Sequence, residues 1–239
     1  MSAEAGELQY AGSELGLFAA ATRWKRYVAR SLRPFVGGSV LEVGAGIGAT
    51  TQALCEGGHG RWVCLEPDAG LAGQIDARVQ SGALPAFCET RTGTLRALPG
   101  EERFDTILYV DVLEHIEDDA GELEQAARHL EPGGHLVVLA PAHQWLFSPF
   151  DRAIGHWRRY SRRSLLALSP RGSHAVHARY LDSVGLLASL GNRLLLRSAS
   201  PTPAQIRLWD AHMVPLSERL DPLLGHRLGK TVVVVWRRP

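Results

Sequence analysis

LEVGAGIGATT, residues 41–51, is the stretch that decides the fold. The strand-like run SVLEV (39–43) passes into Gly44-x-Gly46-x-Gly48 and then into the helical pattern ATTQALCEG (49–57). Glycines suit a tight turn where a Cβ would keep a ligand away from the backbone. A nicotinamide site spaces its glycines GxGxxG and rests a pyrophosphate on the helix N-terminus. Here the spacing is GxGxG, and the strand end carries Glu42. A carboxylate aimed at this turn repels pyrophosphate and suits an amino group.

Outward from the turn, short apolar runs alternate with helix-period segments. The strand candidates are RWVCLE (61–66), LPAFCET (84–90), FDTILYV (104–110) and HLVVLAP (135–141). Between them, AGLAGQIDARVQ and DDAGELEQAARHL have a helical period, the second opened by a capping pair, Asp119 and Glu122. This order predicts an α/β, Rossmann-like sheet of seven mostly parallel strands with helices on both faces. Ligands then bind beyond the carboxyl ends of the strands. Leu17, Ala21, Trp24, Val28 and Leu32 predict one N-terminal helix over about 14–32, after a loose tail at 1–12. Past 141 comes a long loop, a short helix near 162–168 and a strand at 174–182 (HAVHARYLD). Leu187, Leu190 and Leu194 mark one further helix. Ile206 to Leu224 mark another, interrupted by Pro215 and Pro222, before the buried strand TVVVVWRR (231–238). The expected organisation is a single domain over 1–239: a cap helix (1–35), a cofactor-binding core (36–142), a substrate loop and helical insertion (143–229), and a last strand (230–239).

Lys+Arg 26 against Asp+Glu 25 leaves a net charge of +1, which argues against a nucleic-acid partner. Of the 26 positive residues only Lys25 and Lys230 are lysines. Cys55, Cys64 and Cys88 form no paired framework, so a reduced, cytoplasmic location is expected. The N-terminus has no secretory pattern, and no apolar run approaches the ~20 residues of a membrane span.

Glu66 ends the second strand, where a carboxylate accepts hydrogen bonds from ribose hydroxyls. LEVGAGIG, CLEPD, FDTILYVDVLEHIEDD and LEPGGHLVVLAPA, in this order over about 39–142, resemble the class I S-adenosylmethionine-dependent methyltransferases, in particular small bacterial members. The LEPGG turn (130–134) is characteristic of that group. The resemblance implies S-adenosyl-L-methionine as cofactor. It lays the cofactor over Gly44, Ala45, Gly46 and Gly48, with Glu42 near the methionine end and Glu66, next to Pro67, on the ribose. Thr94 and Leu95 would flank the adenine. Asp111 and Val112 would stand near the methionine moiety and the sulfonium.

Asp111-Val-Leu-Glu114-His115 resembles the E-x-x-E-H segment of ubiquinone-biosynthesis O-methyltransferases, which implies a divalent metal. Asp in place of the first Glu shortens the reach, and the L-E-H element also occurs in methyltransferases that need no metal. The expectation is no metal. PAHQWLFSPFDRAIGHWRRYSRRSL (141–165) follows the fifth strand and so stands at the mouth of the site. Similar SPFD…GH.RRY segments occur in bacterial methyltransferase-like proteins. His156 or His143 is the candidate base for an alcohol or phenol acceptor. Trp145, Phe147, Trp157 and Tyr160 are candidates to wall the acceptor pocket. Arg158 and Arg159 are candidates to hold a carboxylate or phosphate. The expected reaction is methyl transfer, oxygen favoured, to a small-molecule or lipid- or sugar-linked anionic acceptor. The insertion leaves peripheral membrane contact open, and the chain is expected to be a monomer or homodimer. The rival readings are a cofactor-binding, non-catalytic partner protein and a nicotinamide-dependent oxidoreductase.

Overall fold

The computed structural model describes residues 13–55, 58–191 and 202–239. The tail at 1–12 and Leu194 lie outside them. Seven strands form one sheet: β1 (Ser39–Val43), β2 (Arg61–Glu66), β3 (Cys88–Thr92), β4 (Phe104–Val110), β5 (Leu130–Pro141), β6 (His174–Leu181) and β7 (Thr231–Arg237). Their order is β3-β2-β1-β4-β5-β7-β6, with β7 antiparallel to both its neighbours. β1 is followed outward by β2 and β3 on one side, whereas β4 pairs with it on the other. This reversal opens a crevice at the carboxyl ends of β1 and β4.

The helices are α1 (Ser13–Ala19), α2 (Thr22–Leu32), α3 (Ala49–Leu54), α4 (Ala69–Gln80), α5 (Asp119–Arg128), α6 (Pro149–Ala153), α7 (Arg162–Leu166), α8 (Ser183–Gly191), α9 (Pro203–Leu208) and α10 (Val214–Leu223). The central strands bury both faces, which is why β1, β2 and β4 read as nearly continuous apolar runs. One face packs Val40, Trp62, Cys64 and Leu108 against α2 and the insertion. The other packs Leu41, Val63, Ile107 and Tyr109 against α5.

Several local expectations are corrected. β3 starts at Cys88 rather than Leu84, because Cys88 N–H closes a turn onto the Pro85 carbonyl. LEPGG is the start of β5, with a register shift opposite Phe104/Thr106 rather than a free turn. A Cβ on Gly134 would lie 2.9 Å from the Asp105 carbonyl oxygen, so only glycine fits there. α5 is capped by Asp118, which accepts from Gly121 N–H, and not by Asp119. The N-terminal helix is two helices, since the Asp210 carboxylate accepts the Arg23 and Trp24 N–H groups and so caps α2 as a separate start. Between α9 and α10 the insertion widens into a π-helical turn, Trp209–Met213. Pro215, in the first turn of α10, lacks the N–H that would continue the regular ladder.

Two more carboxylates fasten the insertion to the sheet. Asp221 of α10 accepts from the backbone N–H groups of Asp182 and Ser183, which open α8, and from Tyr27 Oη of α2. Asp182 accepts from Gly185 N–H, Trp209 Nε1 and Ser217 Oγ. Among the described residues, no helix is long and apolar enough to cross a membrane.

Candidate active site

A cavity of about 2410 Å³ runs along the carboxyl ends of the strands. Pockets for single drug-sized ligands measure ~300–1,000 Å³, so this one has room for a nucleoside cofactor and an acceptor together. Its floor is the glycine turn. Gly44, Gly46 and Gly48 have φ of 67°, 57° and 73°, the left-handed region that favours glycine. A Cβ on Gly44 would stand 2.6 Å from Val112 Cγ2, so this glycine also lets β1 and β4 close up. Glu66 joins the turn to the end of β2. Its Oε2 accepts Gly46 N–H at 2.7 Å and its Oε1 accepts Asp68 N–H at 3.0 Å. Burial raises its carboxyl, and the two N–H groups oppose the rise. Each oxygen keeps a lone pair for a further donor. Pro67, Thr94, Leu95, Asp111 and Val112 line the same cavity. These features fit an adenosine cofactor.

Glu42 does not face the cavity. It is buried beneath the turn, where it accepts from Thr51 Oγ1 at 2.6 Å and Trp62 Nε1 at 2.9 Å. Burial pushes its carboxyl up to about 7. The residue expected at the methionine end is therefore an internal brace between β1, β2 and α3.

The rim of the crevice is strained. Asp111, which follows β4, His143, two residues past β5, and Asp182, which follows β6, have φ of 54°, 67° and 67°. Non-glycine residues in this region gather at functional sites. Asp111 is exposed at the cavity, and desolvation within that crevice raises its carboxyl to about 6 against the pull of His156, Lys230 and Arg159. Glu114 is 1% exposed, and its Oε2 has no hydrogen-bond partner among the described residues. Its burial and Asp111 hold its carboxyl well above the usual range. Burial and His156 push His115 down to about 4.

The loop after β5 is organised by one side chain, Asp151. It is the third helical residue of α6 and completes a capping box with Ser148. The same carboxylate accepts His156 Nδ1 at 3.1 Å and Arg159 Nε and Nη2 at 2.9 and 3.0 Å. Burial opposes its charge, but His156, Arg159 and Ser148 together hold it at about 2. The spacing of Ser148, Asp151, His156 and Arg159 is thus one hydrogen-bonded unit. It fixes the His156 ring, T-shaped on His115 at 4.5 Å, with Nε2 3.8 Å from Glu114 Oε1.

The structure brings His156, Phe147, Trp157 and Arg159 to the cavity wall and leaves other expected acceptor residues outside it. His143 is stacked on Tyr180 and bonded to the Gly229 carbonyl, so its ring is taken up in tying β5 to β7. Trp145 is 46% exposed and leans on His143 away from the cavity. Tyr160 is buried, with its hydroxyl on Asp119. Arg158 pairs with Asp119 at 2.6 Å and donates to the Glu117 carbonyl. Arg159 reaches the cavity, but its fork is spent on Asp151. Neither arginine is a free anion clamp, because each neutralises a carboxylate of its own chain.

Sequence reasoning missed Lys230. It sits just before β7, and because β7 is antiparallel its start lies at the same rim as the end of β5, Thr231 pairing with Pro141. The ammonium lies 3.9 Å over the Trp209 ring and 3.5 Å from Asp182. Its scarcity, one of two lysines among 26 positive residues, was the available signal. The other lysine, Lys25, also lines the cavity and donates to the Ala19 carbonyl. Three donors, Glu114, His115 and His156, lie with ligand atoms within 4.8 Å of one another. Asp111 is not one of this group.

Comparison with known proteins agrees with the geometry. Residues 18–183 match a family model described as a methyltransferase domain. A ubiquinone biosynthesis O-methyltransferase from Paramagnetospirillum magneticum is 32% identical over 103 residues, 43% of this chain and 40% of that protein. A demethylmenaquinone methyltransferase from Tropheryma whipplei is 33% identical over 136 residues, 54% of this chain and 53% of that one. The chain spans about half the length of these relatives. A solved geranyl diphosphate methyltransferase, in complex with S-adenosylmethionine, has the same fold at a TM-score of 0.65 and 14% identity, covering 98% of this chain and 93% of that one. The matched span contains the glycine turn, Glu66, Asp111 and the Asp151–His156 unit, and on that ground the chain belongs to the methyltransferase-domain family of the class I S-adenosylmethionine-dependent superfamily.

Proposed function

We propose that this protein transfers the methyl group of S-adenosylmethionine to a hydroxyl on a ring-bearing, largely apolar acceptor. The observation that carries the proposal is one cavity with the glycine turn and Glu66 at one end and the Asp151-held imidazole of His156 at the other. Relatives named for ubiquinone-biosynthesis O-methylation and demethylmenaquinone methylation support a quinone-type ring. The carboxylate or phosphate expected on the acceptor finds no free arginine here, because Arg158 and Arg159 are already paired; in this reading the charge is the one that develops on the reacting oxygen.

S-adenosylmethionine supplies a methyl already activated by its sulfonium. The chain's own work is to align the acceptor, exclude water and take a proton. Asp151, held ionised, accepts the Nδ1 proton of His156 and leaves Nε2 as the base. With the cofactor bound, Nε2 would take the hydroxyl proton of the acceptor and free its oxygen for the methyl group that the sulfonium would supply. Phe147 and Trp157 wall the approach.

A second reading is favoured by the partnerless Glu114 Oε2 beside two imidazoles. Glu114, His115 and His156 fit a divalent cation, which would supply positive charge to the acceptor oxygen. S-adenosylhomocysteine formation from a panel of phenols and catechols tests both. His156→Ala is expected to lower turnover by about 10²–10⁴-fold, while calorimetry shows S-adenosylmethionine affinity within about twofold of wild type. Unchanged turnover would remove His156 as base. EDTA is expected to leave the rate unchanged; loss with restoration by magnesium or zinc would establish the metal reading instead.

A further inference from the structure

We propose that Lys230 is an acceptor-binding residue, whose ammonium receives the reacting oxygen of an acidic hydroxyl and favours its ionised form. This rests on the methyl-transfer reading above and names the group that would meet the acceptor's charge.

The placement comes from the sheet. β7 runs against its neighbours, so its first residues share the rim with Asp111 and the loop after β5. Lys230 lines the cavity, and its side chain is one quarter exposed to it, at 25%. Its partners are Asp182 at 3.5 Å and the face of Trp209. That Asp182 carboxylate is fully buried and already accepts from Gly185 N–H, Trp209 Nε1 and Ser217 Oγ. Among the described residues this three-donor ammonium meets one long ionic contact and one ring, which leaves donors for a ligand. A lysine whose only task was to neutralise Asp182 would be expected to make a short, direct pair.

The surroundings hold this ammonium in place. Trp209 stands on the π-helical turn, and such turns are frequent at functional sites. Asp182 has left-handed backbone and anchors Trp209 through its indole N–H. Burial draws the Lys230 ammonium down, Asp182 holds it up, Arg159 adds to the fall, and Asp111, the residue that the resemblance puts near the sulfonium, opposes it. Lys230 and Asp111 thus lie close together on the wall of one cavity. Walls of Trp209, Met213 and Ile206 suit a ring. An ammonium against a phenolate, with an aromatic plane beside it, is chemistry for a phenol or a ring enol. An aliphatic alcohol would be ionised far less readily.

The test uses 4-nitrophenol as a coloured probe of ionisation, with full-length, EDTA-treated protein saturated with S-adenosylhomocysteine. Wild type and Lys230→Arg are expected to bind the probe and lower its apparent pKa by about one unit or more. Lys230→Gln is expected to abolish that shift and weaken probe binding by about tenfold, with S-adenosylhomocysteine affinity unchanged. Asp182→Asn/Lys230→Gln removes the buried charge together with its partner. If Lys230 serves only Asp182, this double variant regains wild-type probe ionisation and the proposal is overturned; under the proposal it stays defective. A wild type that leaves the probe unshifted, or a folded Lys230→Gln that still ionises it, also overturns the proposal. If the probe shifts as expected but no phenol or catechol yields S-adenosylhomocysteine, the methyl-transfer reading fails while the Lys230 site stands.

Discussion

The two ends of the cavity are built differently. The cofactor end is made of backbone and near neighbours in sequence: three left-handed glycines within five residues, and a carboxylate at the end of the adjacent strand. The end proposed for the acceptor is roofed by ties between distant segments: Trp209 with Asp182, Asp210 with the first backbone N–H groups of α2, and Asp221 with Tyr27 at a separation of 194 residues. A turn that must admit a ligand constrains residue type locally, so it leaves a motif. A roof held by buried carboxylates constrains pairs, and either member alone looks ordinary.

The sharpest way to break this division is to unfasten the roof. Asp221 is fully buried and accepts three hydrogen bonds, each charge-assisted and worth about 1.5–3 kcal/mol. Asp221→Ala is expected to cost about 3 kcal/mol or more, roughly 6–12 °C in Tm for a chain of this size. Acceptor KM should rise while S-adenosylmethionine affinity stays within about twofold, read by thermal melts and calorimetry. An equal loss at both sites would show the ends to be one unit.

A smaller effect probes the brace under the cofactor turn. The Glu42 carboxyl is raised from 4.5 to about 7 in the folded chain. Between those values the native state binds more protons than the unfolded one, so stability falls as pH rises. Chemical denaturation from pH 4.5 to 7.5 should show a Glu42-dependent loss of about 2–3 kcal/mol, absent in Glu42→Gln. Parallel pH profiles for the two proteins would mean that Glu42 carries no such shift.

The smallest effect separates a paired arginine from an anion clamp. Arg158 is partly exposed on Asp119, so Arg158→Ala is expected to cost about 1 kcal/mol or less and leave acceptor KM within about twofold. A tenfold rise in KM would restore the arginine as a substrate contact.

What could be read from the sequence follows the same division. The strand segments of the parallel half, the glycine turn and Glu66 were legible because each depends on a short window. The importance of 141–165 was legible from its composition, but the roles within it were not. Asp151 was assigned no role there, and it is the hub that orients His156 and consumes Arg159. His143 looked equivalent to His156 until β7 and β6 supplied the Gly229 carbonyl and Tyr180 that occupy it. Glu42 alternates to the buried face of β1, whose partner Trp62 lies on β2, so its inward direction needed the sheet. Lys230 became visible only once β7 proved antiparallel.

The most direct measurement is calorimetric titration of S-adenosylmethionine into wild type and Glu66→Ala. The carboxylate is positioned by Gly46 and Asp68 N–H groups, and two charge-assisted bonds to ribose hydroxyls are worth about 1.5–3 kcal/mol each. Wild type should bind one cofactor per chain, and Glu66→Ala should bind at least about tenfold more weakly while keeping its fold by circular dichroism. Equal affinity in the two folded proteins would contradict the placement of the cofactor on the glycine turn.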